Sequence, residues 1–225
     1  MTNKEIINVE IYLTGLISKG EDLHTDFKFE ISDSKKIART FSAFANTDGG
    51  RLLVGVKDNG KIAGIRSEEE VFMVQGAASM YVKPKIKPEY KFWLYQKMQV
   101  LEVTIPKTKS TIYYAPDEAG KWKAYVRVKD ENLLAPPVLE KIWKKQHSKG
   151  ILLKYSVAES QLLSFLSERP EINVRDYTRL SLISDQEAIE ILSDLTVLKV
   201  LTFKIESKGL TFRLHPAFVI EDYFK

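Results

Sequence analysis

The chain has 225 residues, 44% of them hydrophobic and 28% charged, which is enough apolar material for one large domain or two small ones. It contains no cysteine, so disulfides, thiolate metal sites and a cysteine nucleophile are excluded. No apolar run is long enough to span a membrane, and the N-terminal stretch lacks the pattern of a secretory signal, so we expect a cytoplasmic protein without membrane contact.

The net charge of +4 is distributed unevenly along the chain. Residues 81–149 hold 15 Lys or Arg against 7 Asp or Glu, whereas the segments on either side are slightly acidic. An excess of this size attracts phosphate polymers through Coulomb forces and counterion release, and a solvated lysine-rich surface is the alternative. The histidines, His24, His147 and His215, lack the sequence spacing of a metal site.

Hydrophobic periodicity predicts an α+β (α/β-type) fold, with helices on a mixed sheet, for the first two thirds of the chain. Asp33 or Ser34 can cap a helix at 35–45, and Ser67 with Glu70 has the spacing of a capping box. The buried stripe of the helix at 35–45 would consist of Ile37, Phe41, Phe44 and Ala45. The predicted helices are 2–18, 35–45, 68–82 and a short one after Pro136-Pro137, and the predicted strands are 24–31, 51–56, 61–65, 89–95, 99–105, 111–115 and 123–129.

The last third predicts a separate small domain after a boundary at Gly150, so that the domains would be 1–149 and 150–225. Its elements have the order of a winged helix-turn-helix, with three helices before a hairpin. The predicted helices are 157–168, 173–180 and 185–198, and the strands are 201–205 and 210–214.

The expected recognition helix of this domain is acidic, because it carries Asp185, Glu187, Glu190 and Asp194. Carboxylates beside DNA phosphates are unfavourable, so protein–protein contact is at least as well supported as major-groove reading.

Three separated segments resemble one known family. DFKFE at 26–30, AFANTDGGRLLVGVKDNGKIAGI at 43–65 and AYVRVKDENLLAP at 124–136 are similar, in that order, to the Schlafen-type, AlbA-like domain. The resemblance covers about residues 5–145, and the tail resembles the winged helix often appended to these domains. It implies an AlbA-like fold and a DNA-binding transcriptional regulator. Some members are described as divergent AAA-type ATP-binding proteins, and eukaryotic relatives include RNA endonucleases with three carboxylates.

By position, the nuclease carboxylates of the family correspond to Glu21, Asp26 and Asp58. Three such groups on a divalent metal ion would activate a water for RNA cleavage. The alternative is a solvated strand face with Asp58 in a turn. Lys28 lies on the same face of the predicted strand, where it could neutralise a carboxylate or contact a phosphate.

Two glycine turns are candidates for phosphate binding. The turn residues Asn46, Thr47, Gly49 and Gly50 could present amides to a phosphate, or could only end a helix before a buried strand. The segment 55–61 matches part of a nucleotide-binding loop, but Ile62 replaces the hydroxyl that would bind magnesium, and the context is strand–turn–strand.

Basic residues of the middle third are the candidates for nucleic-acid contact. Lys83, Lys85 and Lys87 alternate with prolines and so would point the same way in an extended segment. Trp122 and Tyr125 are interleaved with a second basic group, in which exposed aromatic rings could stack on bases. That group consists of Lys121, Lys123, Arg127 and Lys129.

These observations favour a homodimeric nucleic-acid-binding protein, with DNA as the target, a role in transcriptional regulation and no required cofactor. The alternatives are a metal-dependent RNase of the Schlafen type, a nucleotide-binding protein that uses the glycine turns, and an adaptor that binds proteins through the acidic helix.

Overall fold

The computed structural model describes residues 3–108, 110–146 and 156–218 and divides into two compact units, Met1–Leu134 and Ala135–Lys225. His147 and the predicted boundary at Gly150 lie outside the described residues, so the division into 1–149 and 150–225 stays a prediction.

The first unit combines three helices with two sheets, which confirms the mixed α+β prediction. The larger sheet has the order β1-β2-β4-β3, with β1 parallel to β2 and the other pairs antiparallel. The smaller sheet is antiparallel, in the order β5-β6-β7. The helices are α1 (Asn3–Ile17), α2 (Ser34–Asn46) and α3 (Glu68–Met80), and the strands are β1 (Thr25–Lys28), β2 (Gly50–Val54), β3 (Glu89–Tyr95), β4 (Met98–Ile105), β5 (Tyr114–Pro116), β6 (Trp122–Val128) and β7 (Glu131–Leu134).

Helix α2 organises the core of this unit because it packs against strands of both sheets. Asp33 is its N-cap, with Oδ1 accepting hydrogen bonds from the backbone N–H groups of Lys35 and Lys36 at 2.8 and 3.4 Å. The predicted stripe of Ile37, Phe41, Phe44 and Ala45 is buried, as expected from its helical spacing. The opposite face of the helix leaves Lys35 and Lys36 exposed.

The predicted capping box of α3 is wrong. Ser67 occupies the N-cap but its side chain makes no cap hydrogen bond. Glu70 is buried instead, and its two oxygens accept hydrogen bonds from the N–H groups of Ile31 at 2.9 Å and Arg66 at 2.7 Å. The Glu70 carboxylate thus accepts hydrogen bonds from backbone N–H groups outside α3. The spacing of Ser67 and Glu70 in the sequence does not reveal these partners.

The predicted strand at 61–65 is also wrong, since only an isolated bridge joins Val56 to Ile62. The next residues turn back on Gly55, whose carbonyl accepts hydrogen bonds from the N–H groups of Ala63 and Gly64 at 2.8 and 2.9 Å. The short strand β7 was not predicted, although it completes the smaller sheet.

The second unit contains the elements predicted for the tail, and in it α4 packs against α7. A short unpredicted strand, β8, completes an antiparallel sheet in the order β8-β10-β9. The element order is that of the predicted winged helix, an assignment that stays a prediction. The elements are α4 (Pro137–Lys145), α5 (Val157–Glu168), β8 (Ile172–Asn173), α6 (Val174–Ser181), α7 (Asp185–Val197), β9 (Leu201–Glu206) and β10 (Gly209–Leu214).

Within the described residues of both units, no helix combines the length and apolar character that a membrane span requires.

Candidate nucleic-acid interface

The glycine turn after α2 joins the helix to the smaller sheet. Asn46 donates through Nδ2 to the carbonyls of Tyr113 and Tyr125 at 2.8 and 3.0 Å, and its Oδ1 accepts from the Tyr113 N–H at 2.8 Å. Thr47 Oγ1 accepts from the N–H of Arg127 at 2.9 Å. These side chains are therefore used in linking α2 to the neighbouring strands rather than facing a ligand.

The two glycines of the turn are explained by close packing. Gly49 has φ +73°, and a Cβ there would lie 2.7 Å from the backbone nitrogen of Lys107. A Cβ on Gly50 would overlap the ring of Phe44. The structure thus favours the turn role of Asn46, Thr47, Gly49 and Gly50 over the predicted phosphate role, because their groups meet other parts of the chain.

A buried ion pair connects the two sheets of the first unit. Asp26 in β1 and Arg127 in β6 are 3% and 1% exposed, and Arg127 Nη2 lies 3.0 Å from Asp26 Oδ1. Lys28 Nζ lies 2.8 Å from the other oxygen, Oδ2. One buried carboxylate therefore faces two cations, which balances the cost of burying it.

The remaining donors of Arg127 are also used inside the protein. They reach the carbonyls of Asp22 and Thr25 at 3.2 and 3.1 Å and Oδ1 of Asn132 at 3.0 Å. The guanidinium also lies 5.0 Å from the centre of the Phe44 ring. The prediction that Arg127 contacts nucleic acid is wrong, because its face of β6 turns toward α2 and away from solvent.

The carboxylates expected for a nuclease do not form a metal site. Asp26 is paired with Arg127 and Lys28, and Glu21 Oε1 accepts a hydrogen bond from the Phe27 N–H at 2.7 Å. Asp58 is exposed in a turn. In the part of the chain that the structure describes, no three His, Cys, Asp or Glu residues are grouped so as to hold a metal ion. These residues do not fit the divalent metal that the resemblance implies, because cations of the chain already occupy Asp26.

The segment from 55 to 62, which partly matches a nucleotide-binding loop, is a tight turn. The Lys57 N–H donates to the Lys61 carbonyl at 3.0 Å, and the Gly60 N–H donates to the Lys57 carbonyl at 2.8 Å. These bonds account for the glycine and the polar residues of the turn without a nucleotide.

Glu21 should make stability depend on pH. Burial raises the pKa of its carboxyl above the usual 4.5, and the Phe27 hydrogen bond opposes this only in part. A raised pKa in the folded state gives stabilisation that is present below about pH 4.5 and lost as the pH rises through the folded-state pKa.

Because glutamine cannot ionise, Glu21→Gln should escape this loss. Denaturant unfolding should therefore show the variant gaining stability relative to wild type between about pH 4 and about pH 7. The same difference at both pH values would show that ionisation of Glu21 is not unfavourable in the folded protein.

Lys83 lies at one edge of the smaller sheet, and we call five exposed lysines the lysine surface, because the others either follow Lys83 within four residues or lie at the start of β6: Lys83, Lys85, Lys87, Lys121 and Lys123. The Lys83 N–H donates to the Tyr114 carbonyl at 2.9 Å, and the Tyr114 N–H returns a bond at 2.7 Å. Tyr114 in turn pairs with Ala124 in β6. The backbone therefore places the 83–87 segment beside β5 and close to the start of β6.

An aromatic ring lies within the lysine surface. Lys83 Nζ is 4.1 Å from the centre of the Trp122 ring, and the Trp122 side chain remains 38% exposed. A cation over an indole face is favourable and holds both groups in place. Tyr125, the other aromatic expected to stack on bases, is only 6% exposed, so its ring is not free to stack on a base at the lysine surface.

The other predicted lysines lie elsewhere. Lys129 is exposed at the β6–β7 turn, six residues from Lys123 and so roughly 20 Å along the strand. Lys28 is half-buried beside Asp26, as its place on the same strand face predicted.

The comparison with known families decides the identity of the first unit. The model of the Schlafen, AlbA_2 family matches residues 21–136, which is more than half of the chain. The chain belongs to this family. The match covers both sheets and the lysine surface of the AlbA_2 domain.

Two solved structures are similar to this AlbA_2 protein. The DIP2311 protein of Corynebacterium diphtheriae is 15% identical with a TM-score of 0.46, over 92% of this chain and 44% of that one. The N-terminal domain of a RecG-related protein from Nitrosomonas europaea is 18% identical with a TM-score of 0.38, over 64% and 95% of the two chains. This chain thus spans less than half of the DIP2311 chain. No curated protein matches it.

The acidic face of α7 in the second unit is partly neutralised by α4. Glu190 lies 2.6 Å from Lys141 Nζ and 2.5 Å from Lys145 Nζ, and Asp194 lies 2.6 Å from Lys145 Nζ. The hydrogen bond from Lys141, followed by that from Lys145, lowers the pKa of Glu190. Two of the four acidic residues that were expected to disfavour DNA binding by α7 therefore form ion pairs with α4.

Two residues that connect α2 with the smaller sheet of the AlbA_2 domain, Asn132 and Arg39, were not predicted from the sequence. Asn132 bonds Arg127 and also donates to Thr40 Oγ1 at 2.9 Å. Arg39 donates through Nε to the Pro116 carbonyl at 2.9 Å and so fixes α2 to β5. Alternation along the strand places Arg127 on the same face as Tyr125, but it does not show that this face is buried.

Proposed function

We propose that this AlbA_2 protein binds nucleic acid through the lysine surface. The observation that carries the proposal is the pairing of Lys83 with β5, which brings this lysine close to the start of β6, where Lys121 and Lys123 lie. Membership of the AlbA_2 family supports an association with nucleic acid.

The chemistry of the surface fits a phosphate backbone. Lysine ammonium groups bind phosphates irrespective of base sequence, and each contact releases condensed counterions. The exposed part of Trp122 adds an apolar face on which a base can stack. Both contributions are independent of sequence, so we expect binding with little base preference.

The proposal includes no catalytic step. Asp26 is held by Arg127 and Lys28, so the alternative of RNA cleavage through Glu21, Asp26 and Asp58 has no support in the geometry. DNA as the target, transcriptional regulation, ATP binding and a homodimer stay predictions, as does protein binding through the second unit.

Fluorescence anisotropy with labelled single-stranded RNA and with duplex DNA tests the proposal. We expect the full chain to bind, and the affinity to fall steeply between about 50 and about 200 mM salt, since several phosphate contacts are made. Absence of binding to both polymers at the lower salt concentration, or an affinity that does not change with salt, would contradict the proposal.

A further inference from the structure

A pocket of about 490 Å³ opens between α2 and the β6–β7 hairpin of the AlbA_2 domain. Lys28, Lys36 and Arg39 line it, together with Tyr125 and Glu131. Its volume is in the range of small-molecule sites, and no function described above uses it. Three of these five side chains are cationic.

Nearby carboxylates do not balance the charge of the pocket. Lys28 lies 2.8 Å from Asp26, which is also paired with Arg127, and 4.0 Å from Glu21. This group of four charges is neutral.

Apart from Lys28, the charged residues of the lining are Lys36, Arg39 and Glu131, so the lining itself carries one positive charge in excess. The Lys36 ammonium has no ion pair among the described residues. The nearest carboxylate to Arg39, that of Glu118, is 3.9 Å away and 91% exposed. A pocket of this kind attracts an anion.

Hydrogen-bond donors are also available. Arg39 uses Nε on the Pro116 carbonyl, which leaves its terminal nitrogens for a ligand. Tyr125 is a residue of the pocket lining, and its hydroxyl makes no hydrogen bond within the described parts of the chain. Ammonium, guanidinium and phenol are the donor types that bind phosphate oxygens, and charge-assisted bonds of this kind are the strong ones.

We propose that this pocket binds the phosphate group of a nucleotide, either free or at the end of a strand. The choice of a nucleotide rests on the proposed function. Lys123 of the lysine surface and Tyr125 lie on one face of β6, two residues and roughly 7 Å apart, so a strand on the surface can reach the pocket. Binding of a phosphate group in the pocket does not require that the lysine surface bind a nucleic acid.

Adjacent lysines of α2 provide matched variants. Lys35 and Lys36 are both exposed in the first turn, but only Lys36 lines the pocket. Calorimetric titration with adenosine 5′-monophosphate, and with adenosine as the ligand without phosphate, measures the site directly.

We expect Lys36→Glu to weaken binding of the monophosphate by at least about 10-fold, the value of one charge-assisted hydrogen bond. Lys35→Glu should bind like wild type. Glu131→Gln should tighten binding by about threefold, because it removes the one carboxylate among the residues that line the pocket. A gain in affinity cannot come from failure to fold.

Equal binding of adenosine and its monophosphate, or equal effects of Lys35→Glu and Lys36→Glu, would overturn the proposal. A short oligonucleotide with a 5′-phosphate, compared with its 5′-hydroxyl form, identifies a strand end as the source if only the phosphorylated form loses affinity in Lys36→Glu. The variant with alanine at 83, 85 and 87 should keep the monophosphate affinity, so failure of the lysine surface and failure of the pocket are distinguishable.

Discussion

Replacing Arg127 with methionine is expected to lower the free energy of unfolding by about 3–5 kcal/mol, because the variant removes the fully buried one of the two cations that face Asp26 and leaves only the half-buried Lys28. The substitution also leaves the carbonyls of Asp22 and Thr25 and Oδ1 of Asn132 without their donor. Chemical denaturation followed by circular dichroism measures the change. A loss below about 1 kcal/mol would show that the ion pair is not buried in solution.

A double variant separates the charge from the packing. Arg127→Met with Asp26→Leu removes both partners, so no uncompensated carboxylate remains and part of the lost stability should return. Arg127→Lys keeps a positive charge but loses the planar fork that reaches several acceptors, so an intermediate loss is expected. A double variant that is less stable than Arg127→Met would contradict the role given to the charge.

Replacing Lys83, Lys85 and Lys87 with alanine is expected to weaken nucleic-acid binding by at least about 100-fold at about 100 mM salt. Each phosphate contact releases roughly 0.9 of a counterion, which is worth nearly tenfold in affinity at that salt concentration. The three side chains are exposed, and the hydrogen bonds of Lys83 to Tyr114 come from the backbone, so the fold should persist. Anisotropy with the labelled polymers measures the affinity.

The control for this variant must change the net charge equally. Lys19, Lys35 and Lys61 are also exposed, and they lie outside the lysine surface. Alanine at these three positions should leave the affinity within about threefold of wild type, since distant charges are screened by salt. Equal losses in the two variants would indicate a response to net charge instead of a defined interface.

The sequence was sufficient to predict features that depend only on residues close together in the chain. The stripe of α2 was predictable because residues three and four apart share one helix face, and its Asp33 cap because a short side-chain oxygen can accept from the first free N–H groups. The strands β3, β4 and β6 were found within about a residue because each is a run of β-branched or aromatic residues.

The site was less predictable because its contacts are distant in sequence. Alternation along β6 places Arg127 and Val126 on opposite faces of the strand, but it does not show which face packs against α2. The partner of Arg127, Asp26, is 101 residues away in sequence. Glu70 was misassigned for the same reason, since the Ile31 N–H that it accepts from lies 39 residues away. The strand β7 has only four residues, too short for a period of two to be recognised.

The slope of log affinity against log salt concentration tests most directly whether phosphates meet the lysine surface. With duplex DNA, the variant with alanine at 83, 85 and 87 should give a slope less negative than that of wild type by about 2.7, one counterion term for each lost lysine. The variant at 19, 35 and 61 should keep the wild-type slope. Identical slopes for wild type and the 83, 85 and 87 variant would show that these lysines do not contact phosphates.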